Sequence, residues 1–159
     1  VSVALGVADR IVAVAFSTEA VPEDAAALLT LEALFPTDRL PMRSIRRLLR
    51  SESARVWVVQ EGGTCVGNLV MLLRARSQFA RIYSLVVAPQ ARGRGVAQAL
   101  IHTAEAEAIR CGRVRMRLEV RVDNAPAQAL YARLGYDVEG ILPGYYEDGG
   151  DGLRLVRPL

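Results

Sequence analysis

The sequence predicts a single α/β domain in which helices flank a mixed β-sheet. Three observations lead to this class. The chain has 159 residues, of which 52% are hydrophobic, which is enough for one substantial core. Strand-like and helix-like patterns alternate along its length, and no repeat or linker divides it. In the middle, a strand, a glycine-rich turn, a helix and a second strand follow one another directly, as in α/β proteins.

The first half of the chain predicts a strand, two helices and a hairpin. Pro22 stands at a helix start and Pro36 ends that helix, because proline fits the first helical turn but not the interior. Glu61-Gly62-Gly63 joins two β-rich runs into the hairpin. The predicted elements are a strand over Arg10 to Phe16, helices over Asp24 to Phe35 and Met42 to Arg50, and strands over Val56 to Gln60 and Thr64 to Leu73.

The second helix separates basic from apolar side chains. Its arginines recur at i, i+3, i+4 and i+7, a spacing that puts them on one helix face. Two interpretations remain open: a basic face in contact with water, or a footprint for RNA. The basic face consists of Arg43, Arg46, Arg47 and Arg50, and the apolar face of Ile45, Leu48 and Leu49.

The second half carries the most regular patterns. Apolar and charged residues alternate without a fault over Arg113 to Val122, which predicts a strand. Before it, a helix follows Gly95 and ends at Gly112. The remaining predicted elements are a strand over Ala80 to Val87, a helix over Asn124 to Leu134, and strands over Tyr136 to Glu139 and Leu153 to Arg157.

The composition excludes several chemistries. All 20 basic residues are arginine, so no lysine is available for a Walker A loop, a pyridoxal Schiff base or a kinase site. One histidine and two cysteines without CxxC spacing make a metal site improbable. The net charge of +3 suits a polyanionic ligand such as a nucleotide coenzyme. No apolar run approaches the roughly 18 residues of a membrane helix, so we expect a cytoplasmic protein without a membrane partner.

The turn between the central strand and helix predicts a phosphate site. A helix N-terminus presents unpaired N–H groups at the positive end of the helix dipole. Gly93 and Gly95 let the backbone approach an anion, and Arg92 and Arg94 add guanidinium groups. The Rossmann dinucleotide fingerprint would need a third glycine or alanine where Gln98 stands, so this turn is of a different kind.

The segment Arg92-Gly93-Arg94-Gly95-Val96-Ala97 resembles the R/Q-x-x-G-x-G/A signature of the GNAT acetyltransferases. Further motifs of that family follow in the right order over residues 80–159, and the closest resemblance is to the ribosomal-protein N-terminal alanine acetyltransferases. Residues 1–79 fit only by pattern and would form the acceptor side. These motifs are Leu118-Glu119-Val120-Arg121, Asn124, Ala129-Leu130-Tyr131, Leu134-Gly135-Tyr136 and Gly144-Tyr145-Tyr146.

The resemblance implies a GNAT-like single domain that binds acetyl-CoA and transfers its acetyl group directly to an amine. It also implies a set of coenzyme contacts. Backbone groups of the central strand would hold the pantetheine arm and polarise the thioester, the turn would cradle the pyrophosphate, and Asn124 would bond the coenzyme. The implied coenzyme-binding residues are Leu85, Val86, Val87, Arg92, Gly93, Arg94, Gly95, Val96, Ala97, Gln98 and Asn124.

Two residues are the implied catalytic groups. An amine acceptor must lose a proton, and Glu119 is the candidate that would take it. Tyr131 would protonate the departing thiolate. Glu119 stands in a row of arginines, however, and neighbouring cations weaken a carboxylate as a base. It could instead neutralise that row or pair with an arginine on a neighbouring strand, and Tyr131 could be a packed helix aromatic.

The acceptor is expected to be an amine on a protein or peptide, either the N-terminal amine or a lysine. Tyr145 and Tyr146, with acidic neighbours, could clamp a peptide end and attract its positive charge, although the hairpin could be an ordinary aromatic turn. Two alternatives remain open: a small-molecule amine as acceptor, and a non-catalytic module that binds CoA or RNA. We expect a monomer or a homodimer, with nucleic acid an improbable partner.

Overall fold

The computed structural model describes residues 17–159, so the strand predicted over Arg10 to Phe16 lies outside the described residues. Single turns of 3-10 helix at Pro22–Asp24 and Pro89–Ala91 supplement the longer elements. These are β1 (Ser17–Glu19), α1 (Ala25–Glu32), α2 (Met42–Arg50), β2 (Ala54–Glu61), β3 (Thr64–Leu72), β4 (Phe79–Val87), α3 (Val96–Arg110), β5 (Arg115–Arg121), α4 (Ala125–Arg133), β6 (Asp137–Leu142) and β7 (Gly152–Pro158).

The described strands form one seven-stranded sheet in the order β1-β2-β3-β4-β5-β7-β6. Strands β4 and β5 are parallel, and α3 makes the crossover that a parallel pair requires. The other described neighbours pair antiparallel. The mixed sheet with flanking helices confirms the predicted fold class.

Apolar side chains on the two faces of the sheet form two cores. The larger packs α3 against the centre of the sheet, where Leu100, Ile101 and Met116 are fully buried. The smaller lies between the sheet and the pair α1 and α2, and includes Leu28 and Ile45. Burial of this area is the main stabilising contribution to folding. Helices α1 and α2 pack on the sheet, and the loop that connects them contributes to the lining of a cleft.

Gly67 on β3 lets the first turn of α3 lie close to the sheet. A Cβ atom at this position would come within 2.9 Å of Val96 Cγ1 and 3.3 Å of the Val86 carbonyl oxygen. Real Cβ atoms do not tolerate such a contact without movement of a neighbour. Glycine here therefore sets the position of the N-terminus of α3.

Most predicted elements are confirmed, with differences at their ends. Helix α2 has the predicted bounds, and its four arginines are exposed as expected. Helix α1 ends at Glu32, three residues before the predicted Phe35, because the chain tightens into turns ahead of Pro36. Among the helices of residues 17–159, none has the length and hydropathy of a membrane-spanning segment.

Candidate functional site

Strands β4 and β5 separate halfway along, which opens a cleft in the sheet. They pair from Phe79 opposite Arg115 to Ile82 opposite Leu118, and no pair follows. At the same point the register between β3 and β4 shifts, so that Tyr83 has no partner on β3. A bulge of this kind bends a strand and increases its twist. The second half of β4 thus lies along the cleft instead of along β5.

Beyond the bulge, successive backbone groups of β4 point alternately towards β3 and away from it. The Ala88 N–H donates to the Val66 carbonyl at 2.8 Å, on the β3 side. Because backbone groups alternate along a strand, Val86 also bonds towards β3, whereas the N–H and C=O groups of Leu85 and Val87 point away from β3, and Leu85 lines the cleft. Of the three strand residues predicted to meet the coenzyme, Leu85 and Val87 have backbone groups on that side, although the Val87 carbonyl already accepts Arg92 Nε.

The cleft has a volume of about 900 Å³ and separates two walls. Such a volume is at the upper end of the range for pockets that bind small molecules and cofactors. One wall is the part of β4 beyond the bulge together with α4, and the other is the α1–α2 loop with the β6–β7 hairpin. After the roles that the family resemblance implies, we call the first wall the coenzyme wall and the second the acceptor wall. The lining of the acceptor wall includes Glu32, Phe35, Pro36, Asp38, Tyr145 and Tyr146.

The glycine-rich turn has the geometry that its sequence predicts. Gly93 and Gly95 have φ angles of 73° and 79°, a region that residues with side chains rarely occupy. Gly95 is the N-cap of α3 and has no side chain to accept the first N–H groups of the helix. Those groups are therefore available to an anion.

The two arginines of the turn have different partners. Arg92 Nε donates to the Val87 carbonyl at 3.2 Å, which holds its guanidinium at the end of β4. Arg94 forms an exposed ion pair of 2.6 Å with Glu61 on β2. Arg92 thus remains beside the anion-binding turn, while Arg94 ties the turn to the neighbouring hairpin.

Tyr131 projects from α4 into the cleft. It is 7% exposed and packs edge-on against Tyr136, with ring centroids 5.5 Å apart. Burial raises the pKa of Tyr131, and the nearby Tyr146 adds to the effect. A phenol with a raised pKa keeps its proton at neutral pH and is a weaker acid than an exposed tyrosine.

Asn124 is the N-cap of α4. Its Oδ1 accepts the Ala127 N–H at 3.2 Å, so the side-chain oxygen is used by the helix. The side chain also lines the cleft. Its amide NH₂ group is the part that could donate to a ligand.

Glu119 on β5 lies between two arginines from the neighbouring strands. It accepts a hydrogen bond from Arg81 Nε on β4 at 2.9 Å and from Arg154 Nε on β7 at 3.4 Å, and its side chain is 7% exposed. These are the ion pairs that the alternative interpretation of Glu119 expects. Arg81 also donates to the Tyr145 hydroxyl at 3.0 Å, so Glu119 is linked to the β6–β7 hairpin.

The paired tyrosines form one corner of the acceptor wall. Their rings meet edge to face at 5.1 Å. Arg121 lies over the Tyr146 ring at 4.9 Å and forms an ion pair with Asp148 at 2.9 Å. Burial raises the pKa of Tyr146 to about 12, with a further contribution from Tyr145. The hairpin is thus held by contacts to β5 as well as by its own turn.

Asp38 and Glu147 connect the two loops of the acceptor wall. The Asp38 N–H donates to Glu147 Oε2 at 3.3 Å, and the Glu147 N–H donates to Asp38 Oδ2 at 3.3 Å. Asp38 has a φ angle of 57°, which aspartate tolerates better than most residues. The sequence analysis did not identify Asp38, because its partner lies 109 residues away. We call this pair the loop bridge.

A buried carboxylate lies at the base of the cleft and was also missed. Glu32, at the end of α1, is 2% exposed and accepts the Ser84 hydroxyl at 2.6 Å and the Leu40 N–H at 3.5 Å. Burial raises the pKa of Glu32, and the hydrogen bonds from Ser84, Leu40 and Asn68 oppose that effect. A glutamate near the end of an otherwise apolar helix is the only signal that the sequence contains.

The chain is similar to a well-populated group of proteins. The sequence model of the acetyltransferase (GNAT) family matches residues 23–136. N-alpha-acetyltransferase MAK3 of Arabidopsis thaliana is 39% identical over 95 residues, which cover 58% of this chain and 50% of the plant protein. A Bacillus subtilis protein provisionally named ribosomal protein bS18-alanine N-acetyltransferase is 31% identical over 109 residues, which cover 69% of this chain and 71% of that protein.

Solved structures agree with these relatives. Ard1 from Thermoplasma volcanium superimposes with a TM-score of 0.81 at 28% identity, over 92% of this chain and 98% of that one. The match to the plant relative spans only about half of that protein's length. These similarities confirm the predicted fold and the family resemblance, including the resemblance to the ribosomal-protein alanine acetyltransferases.

Proposed function

Because the chain belongs to the GNAT acetyltransferase family, we propose that it transfers acetyl from acetyl-CoA directly to the α-amine at the N-terminus of a protein or peptide. The observation that carries this proposal is the loop bridge between Asp38 and Glu147, which joins the two loops of the acceptor wall. A bridged wall suits a flexible chain end better than a side chain on a folded surface. Relatives named as N-alpha-acetyltransferases support the same acceptor.

Acetyl-CoA is the co-substrate of this family, and the coenzyme wall has donors that suit it. In our proposal the N–H groups from Gly93 to Gln98, with Arg92, hold the pyrophosphate. Backbone groups of Leu85 and Val87 bind the pantetheine arm, and one N–H stabilises the oxyanion that develops on the thioester carbonyl. The Asn124 amide NH₂ group donates to the coenzyme.

Tyr131 is the proposed acid. It lines the cleft, and its phenol is protonated at neutral pH, so it can donate to the departing thiolate, although burial makes it a weaker acid. No enzyme-bound acetyl group is needed, because donor and acceptor occupy one cleft. Glu119 as the base stays a prediction, and both of its carboxylate oxygens already accept hydrogen bonds from arginines of the neighbouring strands.

The test is a thiol-release assay with acetyl-CoA against peptides with varied N-termini, lysine peptides, free amino acids and polyamines. Mass spectrometry then locates any acetyl group. We expect acetyl on the α-amine of peptides and none on internal lysines. Acetylation confined to free amino acids or polyamines would favour the small-molecule acceptor and contradict the proposal.

A further inference from the structure

The base of the cleft contains a carboxylate without a positive partner. Glu32 is 2% exposed yet still contributes to the cleft lining. Within residues 17–159 it forms no ion pair, and its oxygens are bonded to the Ser84 hydroxyl and the Leu40 N–H. A buried carboxylate in a protein is normally paired with a cation or serves a function. The groups around Glu32 therefore indicate which of these two explanations applies.

The surroundings of Glu32 differ on its two sides. Behind it, a small cavity is lined by apolar side chains of α1, α2, β2 and β3, to which β3 adds the Asn68 amide. In front of it lies the cleft, where Arg121 pairs with Asp123 and Asp148. The other titratable side chains of the cleft come from the α1–α2 loop, β4, β5, α4 and the hairpin, and include Asp38, Arg81, Glu119, Tyr131, Tyr145 and Tyr146.

Ser84 connects Glu32 to the reacting region. Its hydroxyl lies 2.6 Å from Glu32 Oε1, a distance typical of a strong hydrogen bond to a carboxylate. Ser84 also lines the cleft and precedes Leu85, whose N–H points into the cleft beyond the bulge. An acceptor amine that approaches a carbonyl held by that N–H would enter the part of the cleft that Ser84 lines.

The carboxylates of the cleft differ in basicity. Arg121 lowers the pKa of Asp123 and of Asp148. By contrast, burial raises the pKa of Glu32, towards the range in which a carboxylate accepts a proton at neutral pH.

We propose that Ser84 and Glu32 form the route by which the acceptor ammonium loses its proton. An N–H proton passes to Ser84 Oγ as the Ser84 hydroxyl proton passes to Glu32 Oε1. The products are a neutral amine, an intact serine and a neutral carboxylic acid, which returns its proton to cleft water after transfer. Ser84 is the group that touches the acceptor, and Glu32 acts through it. This inference rests on the proposed function, since it requires an amine acceptor.

The test compares Ser84→Ala, Ser84→Thr and Glu32→Gln in rate-against-pH profiles of acetyl transfer. We expect Ser84→Ala and Glu32→Gln to lower kcat at neutral pH by at least about tenfold, because a positioned base contributes that much or more. The deficit should shrink as the pH rises beyond about 8, where an α-amine is already neutral. Ser84→Thr keeps a hydroxyl and should retain most of the rate.

Two controls separate proton transfer from a structural role. A peptide with an aminooxy end is unprotonated at neutral pH, so the wild type and the variants should acetylate it at similar rates. The double variant should be no slower than the slower single variant, because both act in one route. If Glu32→Gln does not fold, the Ser84→Ala and Ser84→Thr pair still carries the test.

Several results would overturn the route. One is an unchanged pH profile in Ser84→Ala. Another is equal slowing on the ordinary and the aminooxy peptide, which indicates a structural role. A third is loss of the pH dependence in Glu119→Gln alone, which assigns the base to Glu119. If peptides fail as acceptors, the same profiles are measured on whichever amine is acetylated, so failure of the proposed acceptor is distinguishable from failure of the route.

Discussion

The two walls of the cleft are built in different ways. The coenzyme wall presents backbone groups of β4 beyond the bulge together with α4, and the first turn of α3 after Gly95 extends the predicted coenzyme site beyond the end of β4. The acceptor wall consists of side chains from two distant loops, joined through Asp38 and Glu147. Backbone sites bind what all members of a family share, whereas side-chain sites can differ without loss of the fold. Perturbing each wall separately should therefore change different kinetic constants.

The largest effect is expected at Tyr131, which projects from α4 into the cleft between the two walls. Tyr131→Phe removes the hydroxyl and keeps the packing against Tyr136. We expect kcat to fall by about a hundredfold or more, as on loss of a general acid. Coenzyme affinity, measured by calorimetry, should stay within about twofold. An equal loss of both quantities would show that Tyr131 only supports the fold of the site.

On the coenzyme wall, Gly67→Ala should weaken acetyl-CoA binding. The added methyl group meets Val96 Cγ1 and must displace the first turn of α3. Overpacking of this kind costs about 1 to 3 kcal/mol. If about 1.4 kcal/mol of this cost falls on the coenzyme-bound state, the Kd for acetyl-CoA rises about tenfold. Gly140→Ala is the matched control, because a Cβ there meets nothing within 4 Å. An unchanged Kd for acetyl-CoA in Gly67→Ala would show that the position of α3 does not control coenzyme binding.

On the acceptor wall, Asp38→Gly should weaken the loop bridge, because it removes both carboxylate oxygens that accept the Glu147 N–H and keeps only the backbone N–H that donates to Glu147; glycine accommodates the φ angle of 57°. Loss of these exposed hydrogen bonds, about 1 kcal/mol, should raise the peptide KM about fivefold. The Kd for acetyl-CoA should not change. Asp38→Asn keeps an oxygen acceptor and should give a smaller effect. A raised Kd for the coenzyme would show that the two walls are coupled.

The smallest effect is expected on α2, which lies outside both walls. Replacing Arg43, Arg46, Arg47 and Arg50 by glutamine should leave peptide acetylation unchanged and alter the free energy of unfolding by less than about 0.5 kcal/mol each. Within residues 17–159 these arginines form no ion pair. A labelled RNA measured by fluorescence anisotropy distinguishes the two open interpretations: a water-exposed face predicts no change in RNA affinity, and an RNA footprint predicts a loss.

The sequence predicts the coenzyme wall well because its signals are local. Gly93, Gly95 and the helix after them lie within a few residues of one another, and their backbone geometry follows from their residue types. Helix α2 was predicted with its observed bounds, because its two faces differ so clearly. The roles of Glu119 and Tyr131 came from family resemblance and stay predictions.

The acceptor wall could not be predicted in the same way. Glu32 meets Ser84 across 52 residues, and Arg81 meets Glu119 across 38. Such pairs form only after the sheet brings distant strands together, and no residue pattern along the chain encodes them. One feature of the coenzyme wall has the same origin: the bulge at Tyr83, beyond which Leu85 lines the cleft, is a result of strand pairing.

The loop bridge also sets an order of events during biosynthesis. Its halves lie 109 residues apart, and the later half follows the turn, α3 and β5 in the chain. A growing chain exposes the coenzyme-binding elements to the solvent well before Glu147 has been synthesised. If the loop bridge selects the acceptor as we propose, a newly made chain acquires this selection only after the glycine-rich turn and α3 have been synthesised, and a chain cut short before the hairpin would lack it.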